Sequence, residues 1–498
     1  MKKLTLIFTA ALIVTALIAS CGKNGEQSRV TDPAGTTNDL FENGDIVYTD
    51  RKSVPDNLPV KNYEGRVFNI LLRTQWDYEF VAESDTAEPV NDAVYRRNIE
   101  VSERFGVVIK PIAVPGDWNN REAFMTKVRS AVMAGDTTYD LIAGYGSYIC
   151  TLLPEGIFIN LNELDHLNFE KPWWSYDSAK ELSVGGKLYL VTGDIALSMW
   201  KHIHCMFFNK QMIADLGMDS PYDLVKSNKW TLDKLTEMVK ASYRSITGKP
   251  TPQPGDQYGI AFEDTHLVYN WQYAFNQPAT MKDENDIPYV VVDNPKTEAI
   301  MSKMLDFLYY TEGVLFTRET STLPENPYSK KAFQEDRIVF VVDYLGNAEV
   351  LRNMDADFGI IPYPKWDESQ EKYATTIHNA ISLFGIPASV SDPECSAIIM
   401  EALCAESYKN VVPAFYDVTL KGKITRDEES EEMIDLIRDS LSVNYGYMFA
   451  NATGDFGKVL HQLVRNPNLN YGSWMAANKE SKMVQFNKFI DNLLDLTD

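Results

Sequence analysis

Cysteine is scarce, with five residues in a chain of 498. Cys150, Cys205, Cys395 and Cys404 are scattered, and no Cys-x-x-Cys pair occurs. That pattern excludes a disulfide framework and argues against a zinc ribbon or a thioredoxin-like site. The four read as buried thiols, with one or two bridges left open. Positive charge is also in short supply: 47 Lys and Arg stand against 70 Asp and Glu, for a net charge of −23. Such a charge disfavours nucleic acid, and no nucleic-acid partner is expected, because the phosphate backbone rewards basic faces. Beyond the first twenty residues, no apolar run is long enough to cross a bilayer. Catalytic signatures are missing as well: there is no Gly-x-Ser-x-Gly elbow, no phosphate loop and no His-Glu-x-x-His. Gly144 and Gly146 lack the third glycine of a dinucleotide loop. No catalytic residue, metal ligand or cofactor is therefore assigned. A glycosidase carboxylate pair is defined in space, so the sequence leaves that possibility open.

What is present begins with Met1-Lys2-Lys3, an apolar stretch from Leu4 to Ala19, and Ile18-Ala19-Ser20-Cys21. The apolar part, about 16 residues, is shorter than the ~20 of a membrane-spanning helix. Charge, length and small residues fall in the order of a secretory signal peptide. The last four residues resemble the lipobox of bacterial lipoproteins. This resemblance implies cleavage before Cys21, diacylglyceryl modification of its sulfur, with palmitate among the acyl chains, and a body tethered outside the cytoplasmic membrane. Residues 1–20 are then the signal peptide, and residues 21–65, polar and without regular pattern, a flexible tether.

From Val67 the pattern changes. Val67 to Leu72 is a near-continuous apolar run, as expected of a strand buried on both faces. Val90 to Phe105 reads as a helix closed by Gly106, and Val107 to Ile112 as a second strand. Arg121 to Ala134 is a second amphipathic helix, and Tyr139 to Ala143 a third strand. Alternation at this spacing predicts an α/β fold with a parallel sheet, whose ligands sit beyond the carboxyl ends of the strands. Tyr189 to Val191 reads as a strand running into Gly193-Asp194. Further strands are expected at Tyr258 to Phe262, Ile338 to Val342 and Phe358 to Ile361. Helices are expected at Trp230 to Tyr243, Asn294 to Tyr310 and Lys482 to Leu494. Asp392-Pro393 has the form of an N-cap with Pro at the first helical position.

Several segments occur in an order that resembles the family 1 extracellular solute-binding proteins. They are Tyr139-Asp140-Leu141-Ile142, Gly186-Lys187-Leu188-Tyr189, Phe208-Asn209-Lys210, Lys229-Trp230-Thr231, Arg337-Ile338-Val339-Phe340 and Phe358-Gly359-Ile360-Ile361-Pro362-Tyr363-Pro364. The likeness spans about residues 66 to 490 and is weakest after about 420. It implies a two-lobed, periplasmic-binding-protein-like α/β fold (type II) with lobes joined by crossover strands at a hinge. Lobe 1 would comprise 66–204, lobe 2 205–375, and 376–498 would return to lobe 1 with helices packing on both lobes. The implied role is a lipid-anchored, monomeric receptor that captures a carbohydrate and delivers it to the transmembrane subunits of an ABC permease, without enzymatic turnover.

A sugar ring offers a C–H face to an aromatic side chain and hydroxyls to polar partners. Loops that combine the two are the candidate binding elements. Trp76 follows the first strand, Tyr145 the third, and Trp174 precedes the hinge. Asp194 and Trp200 flank the first crossover, and Trp271 lies in lobe 2. Asp343 and Tyr344 end a strand, and Trp474 sits among the final helices. Asp194 and Asp343 are expected to bind hydroxyls, and the aromatic residues to stack on or line the ligand. For each Trp the competing reading is core packing, strongest at Trp271. His202-Ile203-His204 reads as a hinge strand with polar residues facing the cleft. Three alternatives stay open: a secreted carbohydrate-active hydrolase or lyase, a binding protein for peptide or another solute, and a surface adhesin.

Overall fold

The structure, a computed structural model, describes residues 30–31, 37–38 and 50–496, apart from 84–85, 175–177, 250–252, 254, 263–266, 269, 317–327, 426 and 467. Cys21 and the expected signal peptide, residues 1–20, lie outside the described residues. The chain divides into two units, Met1–Val54 and Pro55–Asp498. In the first, Val30–Thr31 pairs antiparallel with Thr37–Asn38, and the Asp50 carboxylate caps a single turn at Arg51–Ser53. Residues 55–65, expected to belong to the tether, are part of the second unit. Tyr63 N donates to Phe105 O at 2.8 Å, and Lys61 pairs with Glu394 at 2.7 Å.

Two sheets organise the second unit. Their strands are β1 (Arg66–Arg73), β2 (Val107–Val114), β3 (Leu141–Tyr145), β4 (His204–Asn209), β5 (Tyr258–Phe262), β6 (Val314–Phe316), β7 (Ile338–Tyr344), β8 (Phe358–Ile361) and β9 (Ser382–Gly385). The first sheet has the order β9-β3-β1-β2 and the second β6-β5-β7-β4-β8. Strands β1, β2 and β3 run parallel, and β9 joins them antiparallel. In the second sheet β5, β6 and β7 are parallel, while β4 and β8 run against them. Of the apolar runs read from sequence, β1, β3, β5 and β7 are central strands, while β2 and β8 lie at sheet edges. Phe68, Ile70 and Leu71 are wholly buried, each contributing about 1.5–3 kcal/mol relative to exposure.

The covering helices start and stop on local signals. Helix α1 (Pro89–Phe105) ends on Gly106 at φ 61°, where a Cβ would fall 2.1 Å from Asn62 Oδ1. Helix α2 (Arg121–Met133) connects β2 to β3, and the short α3 (Leu197–Lys201) precedes β4. In α4 (Leu232–Ser242), Thr231 Oγ1 accepts from Lys234 N at 3.3 Å. Asn294 caps α5 (Pro295–Tyr310) in the same way. Asp392 caps α6 (Pro393–Glu406), with Pro393 at its first position. Helix α7 spans Tyr471–Leu494, longer than the stripe from Lys482 suggested, because Asn470 caps it by accepting from Ser473 N at 2.8 Å. After α6 the chain continues as π-helical turns at Ser407–Val411 and Ala414–Ile424. Pro413 lies between them and lacks the N–H of a regular helical turn. The strand expected at Tyr189–Val191 is only a bridge between Val191 and Phe384, since the chain turns away at Gly193.

The chain passes between the sheets twice. It leaves the first through α3 into β4 and returns from β8 through Thr375–Ile377 to β9. The two passages touch: Ile203 bridges Ile377 antiparallel, and His378 N donates to His202 O at 3.0 Å. This pairing sets strand ends from both sheets beside one another.

Candidate ligand-binding cleft

Strand direction explains what gathers there. Arg73 ends β1, Tyr145 ends β3 and Tyr344 ends β7, all at carboxyl ends. Strand β4 is antiparallel to β7, so its first residue, His204, lies in register with Tyr344. Trp76 sits in the turn just past β1, at a break in the helical backbone.

These side chains form a continuous aromatic strip. The Trp76 and His202 rings are 4.6 Å apart, and His202 is 5.2 Å from Tyr344. Tyr344 also meets His204 at 4.9 Å and His378 at 5.5 Å, both edge-on. On the other side of Trp76, the Arg73 guanidinium lies 4.1 Å over its ring and 4.8 Å over the Tyr145 ring. Tyr145 meets Tyr148 edge-on at 5.1 Å, and Tyr148 meets the exposed Trp118 at 5.5 Å. Arg121 then lies 4.3 Å over Trp118 and 4.9 Å over Tyr148. Trp76, Tyr145, His202, Tyr344 and His378 are all half-buried, so each keeps some ring surface open.

Beneath the strip the polar groups are fixed. Arg73 is 3% exposed and its Nη2 donates to Ala380 O at 2.7 Å. Its Nε has no hydrogen-bond partner among the described residues. Burial lowers the guanidinium to about 10, which leaves it charged at neutral pH. Glu79, buried, accepts from Ser198 N at 2.9 Å and from Ser382 Oγ at 2.6 Å; desolvation raises its pKa against those bonds. His204 hydrogen-bonds Tyr363 Oη through Nδ1 at 3.2 Å and Asn270 through Nε2. A cavity of about 410 Å³ draws on neighbouring segments, with Tyr78, Lys201 and Glu349 in its wall. Among the described residues no group of three or more His, Cys, Asp or Glu is placed to hold a metal ion.

Of the residues singled out in the sequence, Trp76, Tyr145 and Tyr344 are thus brought together. Asp343 lies at the base of the strip, 4% exposed. Its Oδ1 accepts from Tyr344 N at 2.8 Å and from Asn347 Nδ2, while Oδ2 pairs with Lys330 at 3.0 Å. It holds the end of β7 in shape, so its expected role as a hydroxyl partner gives way to a structural one.

The remaining candidates are interior. Trp174, 2% exposed, donates Nε1 to Glu401 Oε2 at 2.7 Å and packs on Phe169. Asp194, also 2% exposed, is held by its own N–H bonding to Trp173 O at 2.9 Å. Trp200 faces Tyr416 at 5.0 Å, towards the π-helical turns. Trp271, wholly buried, donates to Leu267 O at 3.2 Å and packs against Tyr363. Trp474 bonds Gln462 at 2.8 Å and anchors α7. None has an open ring face, so core packing accounts for each of these four tryptophans. Cys150, Cys205, Cys395 and Cys404 are free and buried.

Arg73, Tyr148, Arg121 and Trp118 were not picked out from sequence, although Arg73 carried a signal. It is the charged residue that ends an apolar strand three positions before Trp76. His202 and His204, expected on a hinge strand, do lie at the crossover, His202 capping α3 and His204 opening β4.

No family profile and no curated protein matches the chain. Solved structures do. The galacto-N-biose-/lacto-N-biose I-binding protein of the ABC transporter from Bifidobacterium longum, in complex with lacto-N-biose, aligns with a TM-score of 0.56 at 12% identity, covering 87% of this chain and 99% of that one. The GacH receptor of Streptomyces glaucescens, solved unliganded and with acarbose, aligns at 0.54 with 12% identity over 87% and 100%. A cyclo/maltodextrin-binding protein complexed with maltotetraose aligns at 0.53 with 13% identity over 88% and 100%. At such identities the likeness speaks for the fold. The chain has the two-lobed α/β fold of periplasmic binding proteins. Among the described residues no helix is long and apolar enough to cross a membrane.

Proposed function

We propose that this chain is an extracytoplasmic solute-binding protein that closes two lobes on a carbohydrate and presents it to an ABC-type permease, with no covalent chemistry of its own. One observation carries this reading. Half-buried aromatic rings from the first sheet, Trp76 and Tyr145, line up with His202 and Tyr344 from the crossover and the second sheet. Sugar rings stack on such faces while hydroxyls take the polar groups between them. Ligand that touches both halves favours the closed form by its differential contacts there. In this reading 66–204 and 376–498 form one lobe with its return, and 205–375 the other. The relatives in fold bind lacto-N-biose, acarbose and maltotetraose, which favours an oligosaccharide here as well.

The test is a thermal-shift screen of the full chain against mono- and oligosaccharides, with peptides alongside. A tight ligand raises the melting temperature by mass action, by the equivalent of about 2.7 kcal/mol at a hundredfold excess over Kd. A flat response to every sugar together with a response to peptides would overturn the carbohydrate reading.

The lipid anchor belongs to the same proposal. Acylation at Cys21 after removal of residues 1–20 would hold the body at the membrane, since two or more chains anchor stably where one does not. Tethering raises the effective concentration of the receptor near its permease. Replacing Cys21 with Ala should move the monomeric protein to the soluble fraction, and a variant that stays on the membrane would argue against acylation there.

A further inference from the structure

Two arginines in the strip have a setting that a neutral ligand does not call for. Arg73 is sandwiched between Trp76 and Tyr145, and Arg121 between Trp118 and Tyr148. Tyr145 and Tyr148 touch, so the two sandwiches are consecutive. Arg73 Nε and Arg121 Nε are both buried, and both are without a hydrogen-bond partner among the described residues. The nearby carboxylates make their direct bonds to other groups, and Glu79 bears on Arg73 through its charge alone. Glu79 accepts from Ser198 and Ser382, Asp343 pairs with Lys330, and Asp117 accepts from Asn120. Glu122 stands 3.7 Å from Arg121 Nε, beyond hydrogen-bond reach, and points largely into solvent. A protein of net charge −23 thus keeps two cations beside the half-buried rings of this strip.

Resting on the reading as a carbohydrate receptor, we propose that the ligand is an anionic oligosaccharide. Its carboxylate groups, as in uronic acid residues, would meet Arg121 and Arg73 while the sugar rings lie along the strip from Trp118 to Tyr344. The guanidinium is a planar fork whose paired N–H groups match the two oxygens of a carboxylate. Stacking on aromatic rings holds that fork flat and strips it of water, which strengthens a pairing that bulk solvent would screen. An orphaned buried N–H is costly until a ligand oxygen reaches it, so binding relieves a deficit already present in the free protein. The exposed Trp118 extends the strip outwards, where further residues of a chain can lie.

The experiment is calorimetry on the lipidated full chain in detergent. The probes are uronic acid di-, tri- and tetrasaccharides, each paired with its carboxyl-reduced neutral form, and a set of sulfated oligosaccharides. Each uronate should bind at least about tenfold tighter than its neutral partner, and the preference should narrow as salt is raised. Arg121→Gln should erase most of that preference, bringing each uronate and its neutral partner to within about twofold of one another. It is the informative variant because Arg121 is part-exposed, whereas Arg73→Gln alters a buried group and carries a folding cost of its own. Equal or tighter binding of the carboxyl-reduced forms overturns the anionic proposal and leaves the carbohydrate reading standing. Binding of the sulfated set alone overturns the carboxylate assignment. Binding of neither charged nor neutral sugars overturns this inference together with the reading beneath it.

Discussion

Trp76 and Trp174 are the same side chain in opposite settings. Trp76 is half-buried, and its partners are a guanidinium over one face and an imidazole beside it. Its indole is held by stacking, which a ligand ring can replace or extend. Trp174 lies beside Trp173, and the two donate their Nε1 groups to the two oxygens of Glu401, at 2.7 and 2.9 Å. Gly193 lets the backbone pass so close that a Cβ there would fall 2.6 Å from Trp173 O. The interior pair is locked by hydrogen bonds around a buried carboxylate, and the cleft residue by contacts around a buried cation. Aromatic content alone therefore does not mark a sugar site. An open face and a polar partner with unused bonding capacity do.

The difference can be broken at either end. The largest effect is expected at Trp174→Ala, which leaves a cavity and removes one donor from Glu401. It should cost about 3–5 kcal/mol of stability, read by chemical denaturation, while the surviving folded protein binds ligand as before. A loss below about 1 kcal/mol would show that this cluster is not the packed interior the geometry describes.

Next comes the pH dependence of that interior. Burial pushes Glu401 up to about 7, against the three N–H groups that hold its charged form. A carboxyl raised in the folded state keeps a proton that the unfolded chain releases near its ordinary value. Its contribution is fully present below about 4.5 and is lost as pH rises through 7, on the order of 3 kcal/mol across that window. Comparing wild type with Glu401→Gln from pH 5 to 8 isolates the effect from other titrating groups. The wild type should lose stability relative to the variant as pH rises, and parallel curves would contradict this.

In the cleft, Trp76→Ala should reverse the pattern. Affinity should fall by about 2 kcal/mol, roughly thirtyfold, as for a buried aromatic anchor. The denaturation midpoint should barely move, because little core is lost. A stability loss as large as that of Trp174→Ala, with affinity intact, would abolish the distinction between the two regions.

The smallest effect is at Asp343, which adjoins the cleft but serves the fold. Asp343→Asn weakens the link to Lys330 while keeping an acceptor for Tyr344 N. About 1 kcal/mol of stability should be lost, with a smaller change in affinity. A large affinity loss at unchanged stability would return Asp343 to the role of a ligand partner.

Much of the fold was legible in the residues. Strands β1, β5, β7 and β8 were readable as apolar runs, α4 and α5 as helical stretches and α6 by its cap at Asp392, because caps and periodicity are local properties. The parallel order of β1, β2 and β3 follows from strand–helix alternation. Less of the site was legible. Whether a tryptophan has an open face depends on what arrives from distant segments. Trp174 is closed by Glu401, and Trp271 by Tyr363, in each case more than ninety positions along the chain. The start of the body was misjudged for the same reason: polar residues 55–65 look like linker until Phe105 and Glu394 are seen to hold them.

By itself, then, the sequence determined the acidic character of the chain, the alternation that builds α/β sheets, and the strand ends at which a ligand can sit. Those depend on residue type and short-range spacing. Only the tertiary structure decided which aromatic side chains stay accessible. It placed Arg73 between Trp76 and Tyr145, committed Glu79 and Asp343 to the fold, and set His202 against Tyr344. These outcomes follow from contacts between residues far apart in the chain, formed when the two passages pair at Ile203 and Ile377 and bring both sheets to one line.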